Sequence, residues 1–218
     1  SGSSAGWQLS LATTGIGAIS FTASFNAGAN NISVITLNNF TSADFGKWVH
    51  IILTWDGSVT ATNVHIYKNG VESSYNVQTN GSGTYTSDAT KNLTIGAFDG
   101  GSREFPGSID DVRIYNRALS ATEAKQLYNI GDYRIQSSPT ALLNNGLVGY
   151  WTFDGNDTTW TTGSVGSTRD KSGNNNTGTL INMSAITSPI AGRIGQGLRF
   201  DGSNDSISTP SVLIDQNT

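Results

Sequence analysis

The chain has 218 residues, which suits one large all-β domain or one and a half ordinary ones. Only 13% of them are charged, Gly is abundant at 26, and the net charge is −4 with a pI near 5.0. That balance argues against nucleic acid or an anionic membrane as partner, since both need basic patches, and no run of 18 apolar residues is present to span a bilayer. Cysteine is absent. A sandwich of this size has core enough to do without disulfides. The Ser/Thr/Asn/Gly-rich, charge-poor surface points to an extracellular or cell-surface setting.

Strand signals dominate the chain from its start. "WQLSLATT" (7–14) and "AISFTASF" (18–25) alternate apolar and polar with period two, and "NISVITLNNF" (31–40) continues the pattern. "KWVHIILTWDG" (47–57) reads as a buried strand closed by an Asp-Gly turn. His65–Lys68 and Val71–Tyr75 flank Asn69-Gly70, the dipeptide that best tolerates the two positive φ angles of a type I′ hairpin. "KNLTIGAF" (91–98) and "GSIDDVRIYN" (107–116) read as further strands. One short helix is predicted near 120–128. Ser120 and Glu123 form an S-x-x-E capping box ahead of the apolar Ala124, Leu127 and Tyr128.

Residues 130–146 mix Ser-Ser-Pro with Asn-Asn-Gly and read as a linker. Strands resume with "LVGYWTF" (147–153). A polar loop covers 154–176, and "TGTLIN" (177–182) and "GQGLRFDGSNDSIST" (195–209) read as strands again. No internal repeat appears. "PGSIDDVRIYNRALSATEAKQLYN" (106–129) has the form of a domain's end, yet it precedes "GLVGYWTFDGN", which has the form of a beginning.

These landmarks resemble the LamG-like jelly roll, of the laminin G-like and concanavalin A-like lectin/glucanase superfamily. Gly149 to Asp154 is similar to that family's opening segment. Asp170-Lys171-Ser172-Gly173-Asn174-Asn175-Asn176-Thr177-Gly178-Thr179-Leu180 is similar to its D-x-S-G-N-x-N-x-G-T-L stretch, with an offset of one residue in places. Gly192 to Asp205 is similar to G-x-x-G-x-x-L-x-F-D-G-x-x-D, Trp48 to Gly57 to W-x-H-I-x-x-T-W/Y-D-G, and Tyr67 to Gly70 to the Y-x-N-G hairpin. The closing G-x-I-D-D-V-R-I-Y-N-R-A-L-S, at Gly107 to Ser120, is the most specific.

The resemblance implies an all-β, antiparallel β-sandwich jelly roll of concanavalin A-like type, here assembled from permuted pieces. Residues 1–129 form the closing part, 130–146 the linker and 147–218 the opening part. A family strand similar to F-T-x-x-x-W-V-K, expected between Thr218 and Ser1, is missing. Half a jelly roll would expose an apolar sheet face and an unpaired edge. "IDDVRIY" and "LVGYWTF" are therefore expected to pair in one sheet, within one chain or across a head-to-tail contact between chains.

Chemistry candidates are few. A retaining glycosidase needs two carboxyls about 5–5.5 Å apart. The glutamates are Glu72, Glu104 and Glu123, and no E-x-D-x-E-like strand occurs, so no enzyme is expected. His50 and His65 lack a third ligand at zinc spacing. Calcium is the better metal candidate, since it accepts carboxylates, amides and backbone carbonyls of loops. In related jelly rolls an aspartate of the closing strand and acidic residues near the opening strands share a structural calcium. By that resemblance Asp110 or Asp111 with Asp154, and Asp201 or Asp205, are the candidate ligands, although Asp-Gly is also good turn chemistry. Exposed aromatics suit sugar binding, and Trp160, Trp7 and Tyr85 lie in or beside polar segments. Trp48, Trp55 and Trp151 read as core. N-x-S/T sequons occur at Asn31, Asn92, Asn156, Asn175, Asn182 and Asn204.

The expected function is a non-catalytic extracellular adhesion or carbohydrate-binding module, with a glycan or cell-surface ligand as partner. The alternative is an architectural repeat or filament subunit that binds its own neighbours by strand complementation.

Overall fold

Period-two alternation becomes strand structure over most of the first eighty residues. The structure is a computed structural model and describes residues 6–12, 17–25, 30–85, 88, 90–98, 103–130 and 143–212. β1 (Trp7–Leu11), β2 (Ile19–Ala23), β3 (Ile32–Thr36), β4 (Ile51–Thr54), β5 (His65–Lys68), β6 (Val71–Glu72) and β7 (Tyr75–Thr79) follow one another. β2 and β3 bury every second side chain, so one face of each is sealed and the other half-open. Every described ladder is antiparallel.

The described residues fall into two compact units, those within 1–88 and 117–137 and those within 89–116 and 138–215. In the first, a four-stranded sheet of order β1-β2-β3-β7 accompanies a three-stranded sheet β4-β5-β6. Phe21, Ile32 and Val34 of one sheet and Ile66 of the other share a core with Trp55 and Val64. Asn69 (φ 51°) and Gly70 (φ 75°) both take left-handed backbone, as the expected type I′ turn between β5 and β6 requires. The return strand is shorter than its sequence suggests. Pairing stops at Glu72, and Tyr75–Thr79 crosses to lie beside β3, because Ser73 and Ser74 send their backbone bonds to opposite sheets: the Ser73 N–H reaches Ile66 O and the Leu37 N–H reaches Ser74 O.

Helix α1 (Ala121–Ile130) starts at the expected capping box. The Ser120 N–H donates to Glu123 Oε2 at 2.9 Å, and the Glu123 N–H donates to Ser120 Oγ at 3.3 Å. Arg117 adds two bonds to the same carboxylate. Tyr128 lies over Gly70, which seats the helix against the β5–β6 turn. The expected linker lies mainly outside the described residues.

The second unit draws on both sides of that linker. It holds β8 (Leu93–Ile95), β9 (Pro106–Ile109), β10 (Val112–Tyr115), β11 (Leu147–Trp151), β12 (Thr158–Trp160), β13 (Gly166–Thr168), β14 (Gly178–Ile181), β15 (Pro189–Ala191), β16 (Gln196–Asp201) and β17 (Ser206–Thr209). Its sheets have the orders β12-β13-β14-β17-β8, β15-β16-β9 and β10-β11. Trp151, Phe153, Met183, Leu198, Phe200 and Ile207 form its core. The ladder between "IDDVRIY" and "LVGYWTF" closes within one chain, with Val112 opposite Trp151 and Ile114 opposite Gly149.

Two sequence expectations change here. "GSIDDVRIYN" is two strands, not one. Asp111 takes φ 54°, and this corner sends β9 to β16 and β10 to β11. The polar loop 154–176 contains the β12–β13 hairpin. The residues it buries, Thr158, Gly166 and Thr168, are not apolar, so hydrophobic alternation cannot reveal them.

Candidate functional site

The second unit gathers polar groups around the turn that follows β11. Phe153, at φ 60°, drops its ring into the core and swings Asp154–Asp157 outward. Asp154 then meets the β15–β16 connection. Its Oδ1 accepts the Gln196 N–H at 2.7 Å, while Gln196 Oε1 accepts the Gly155 N–H at 2.7 Å, a reciprocal clasp. Gly195 has to be glycine, since its φ is 65° and a Cβ there would overlap Asp154 Oδ1. Asp157 accepts from Lys171 Nζ at 3.1 Å and from the Thr152 hydroxyl at 2.9 Å. Burial pushes the Asp157 carboxyl up, but these bonds and the neighbouring cations outweigh it and hold the group below the usual carboxylate range. Between these side chains lies a cleft of about 500 Å³ lined by Asp154, Gly155, Asn156, Asp157, Lys171 and Gln196.

Asp110 grips the same connection from behind. The Arg193 and Ile194 N–H groups donate to its Oδ2 at 2.7 and 3.0 Å, while its Oδ1 is buried without a hydrogen-bond partner. Burial, reinforced by the Asp111 charge, raises its carboxyl to about 6 against those two bonds. Below about pH 4 both folded and unfolded chains hold this proton. Stability is lost as pH rises through 6, because only the native state resists ionisation. Asp110→Asn keeps an acceptor and removes the charge. It is expected to raise the melting temperature at pH 7 by a few degrees and to leave it unchanged near pH 4, as thermal melts at the two pH values would show. Asp111 turns the other way, its Oδ1 accepting the Tyr150 hydroxyl at 2.7 Å beside Arg113, whose guanidinium stacks 4.3 Å from the Tyr150 ring.

Asp201 and Asp205 occupy a separate turn between β16 and β17. Asp201 Oδ1 accepts the Ser203 N–H at 2.8 Å, and Asp205 Oδ2 accepts the Asp201 N–H at 3.0 Å. A smaller cleft of about 220 Å³ adjoins them, lined also by Thr187, Ser188 and Arg199. The five candidate aspartates are thus spread over three places: the β9–β10 corner, the turn after β11 and the β16–β17 turn. Among the described residues no three His, Cys, Asp or Glu side chains converge to hold a metal. This side-chain set does not fit a calcium cage of six to eight oxygens without several backbone carbonyls or waters.

The aromatic candidates are also divided. Trp7 and Tyr85 pack against the first core, with Tyr85 edge-on to Trp55 at 5.5 Å and Phe25 at 6.1 Å. Burial pushes the Tyr85 phenol up, and Asp88 adds to the shift. Trp160 is half-buried in β12 and packs on the second core. Its ring lies over Gly166, where a Cβ would come within 3.0 Å. Two of the glutamates are already engaged. Glu72 holds His65 and Tyr75, and Glu123 holds Arg117 and Ser120. In the sequence Asn156 showed only as a sequon, and Lys171 and Gln196 only as positions inside family-like motifs; neither these nor Asp157 was marked as a ligand contact.

The "DKSGNNN" stretch supports this whole region. Asp170 Oδ1 accepts the N–H groups of Tyr150 and Ser172, and Oδ2 accepts that of Asn176. Ser172 and Asn176 side chains donate to Val148 O, and the Lys171 N–H donates to Tyr150 O. The loop therefore satisfies the edge of β11 that β10 leaves open.

A family model of laminin G type, from the concanavalin A-like lectin/glucanases superfamily, matches residues 1–125. No curated protein and no solved structure matches the chain.

Proposed function

This chain belongs to the concanavalin A-like lectin/glucanases superfamily, and from that premise we propose that it is a non-catalytic extracellular module that recognises neutral glycans at the Asp154–Gln196 cleft. Domains of this kind commonly serve adhesion or carbohydrate binding. The observation that carries the reading is the cleft's lining. An amide at Asn156, the Lys171 ammonium and carboxylates at Asp154 and Asp157 offer donors and acceptors at close quarters, as a polyhydroxylated ligand requires. The excess of carboxylate disfavours anionic glycans.

Catalysis is not part of this reading. Asp157 is held ionised by Lys171 and cannot serve as the protonated acid that glycoside hydrolysis needs. Asp110, the carboxyl pushed toward neutrality, has its unbonded oxygen buried away from any ligand. No described helix is long and apolar enough to cross a membrane.

A glycan array covering neutral and acidic polysaccharides tests the proposal. Binding to a neutral glycan is expected. Asn156→Ala, on an exposed residue, should weaken it about tenfold, the value of one lost ligand hydrogen bond. Trp160→Ala is expected to matter less, because that ring packs inward. Chelator is expected to leave both binding and melting temperature unchanged. Binding confined to acidic glycans, or unaffected by Asn156→Ala, would contradict the proposal.

A further inference from the structure

The four-stranded sheet β1-β2-β3-β7 carries no charged residue in any of its strands, and none precedes Asp44 in the whole chain. Exposed sheet edges ordinarily carry a lysine, a proline or a bulge that discourages pairing. β1 is an edge of this sheet with five residues in continuous register against β2 and none of these devices. Its hydrogen-bond directions are fixed by the neighbouring bonds. The Ser24 N–H donates to Gly6 O and the Ala12 N–H donates to Ala18 O, so Gly6, Gln8, Ser10 and Ala12 face β2. By the alternation of an antiparallel ladder, the N–H and C=O groups of Trp7, Leu9 and Leu11 point away from the sheet. Among the described residues no strand receives them.

The side chains of these three residues share the sheet's core face. Leu9 stands opposite the fully buried Phe21, which itself stands opposite Val34, yet Leu9 is 40% exposed and Leu11 51%. The apolar face thus runs on past the last strand and stops there uncovered.

We propose that β1 pairs with β1 of a second copy of this chain, antiparallel and centred on Leu9. The twofold arrangement sets Leu9 against its own counterpart and Trp7 against Leu11 of the other copy, so all six outward backbone groups on each strand find partners. It extends the apolar row Leu9–Phe21–Val34 across the dyad. No like charges oppose one another along the ladder. Asp88 lies beside Gly6 at the start of β1, and the symmetry puts its two copies at opposite ends, about 20 Å apart. A strand pair of this length covers less than the roughly 1,200–2,000 Å² of a standard complex. The dimer is accordingly weak, half-formed on the order of 100 μM, and suited to avidity on a repetitive surface.

Sedimentation velocity of the full chain between about 5 μM and 1 mM, ranges set around that affinity, tests this. The mass is expected to rise from one chain toward two. Leu9→Pro removes an outward N–H that only the partner uses, and Leu11→Lys places a charge opposite Trp7 of the other copy, within the apolar row of the ladder. Both are expected to stay monomeric at every concentration, and Leu11→Lys, at an exposed position, is expected to keep the wild-type melting temperature. A wild-type chain that stays monomeric throughout would overturn the proposal. So would a dimer that survives Leu11→Lys unchanged.

Discussion

Asp170→Ala is expected to destabilise the second unit by about 3 kcal/mol or more, the largest effect of any single polar substitution in the chain. Asp170 is 6% exposed and accepts three backbone N–H groups, from Tyr150, Ser172 and Asn176. Removing it strands three donors in a place water reaches poorly, and it releases the loop that covers the edge of β11. Asp170→Asn should fall between wild type and alanine, because one oxygen remains while the amide nitrogen faces a donor. The same carboxylate gives the chain an acid limit. Burial pushes it up, but the three N–H bonds and the Ser172 hydroxyl prevail and hold it below the usual range. A group lowered in this way contributes stability above about pH 4 that is lost as the pH falls through its native value. Wild type and Asp170→Ala should therefore converge in stability on acidification. Urea unfolding at pH 7 and pH 3 measures both effects.

Trp151→Ala is expected to cost about 3–5 kcal/mol, the usual range for deleting a buried tryptophan. The side chain is fully buried among Phe153, Met183, Leu198 and Phe200, and its indole N–H donates to Asn176 O at 2.9 Å. Its ring also closes over Gly149, where a Cβ would overlap the indole. The substitution empties the centre of the core and unties the "DKSGNNN" loop from below. A drop of roughly 10 °C or more in a thermal melt is expected. Trp151→Phe, which keeps most of the volume and loses only the N–H, should lose less than half as much.

Much of this was legible in the sequence because local chemistry and global packing agreed. Asn69-Gly70 named its turn, Ser120 and Glu123 named the start of α1, and β2 and β3 bury the residues their alternation marks. Closure of "IDDVRIY" on "LVGYWTF" followed from the cost of an uncovered sheet face, and the ladder is present within the chain. The failures have equally definite causes. Asp110-Asp111 gives no sign of a corner, because aspartate tolerates left-handed backbone without requiring it. The β12–β13 hairpin buries threonines, whose pattern resembles that of a polar loop. The candidate site was half visible. Asp154 stood out beside its turn glycine, but Lys171 and Gln196 reach its turn from distant parts of the chain, and only the folded backbone brings them together. Trp160 was conspicuous in sequence, yet the absence of a side chain on Gly166 lets its ring lie down on the sheet.

Sharing of strands between the middle and the end of the chain is the claim on which the site depends, and a cysteine pair tests it directly. Arg199 stands opposite Ser108 in the β16–β9 ladder, and its N–H bonds to Ser188 on the other side. The pair is therefore of the non-hydrogen-bonded kind, whose side chains lie close enough for a disulfide. The natural chain has no cysteine to interfere. Oxidised Ser108→Cys/Arg199→Cys protein should run as a single monomer on a non-reducing denaturing gel, faster than its reduced form. Free thiols, or disulfides found only between chains, would contradict the account.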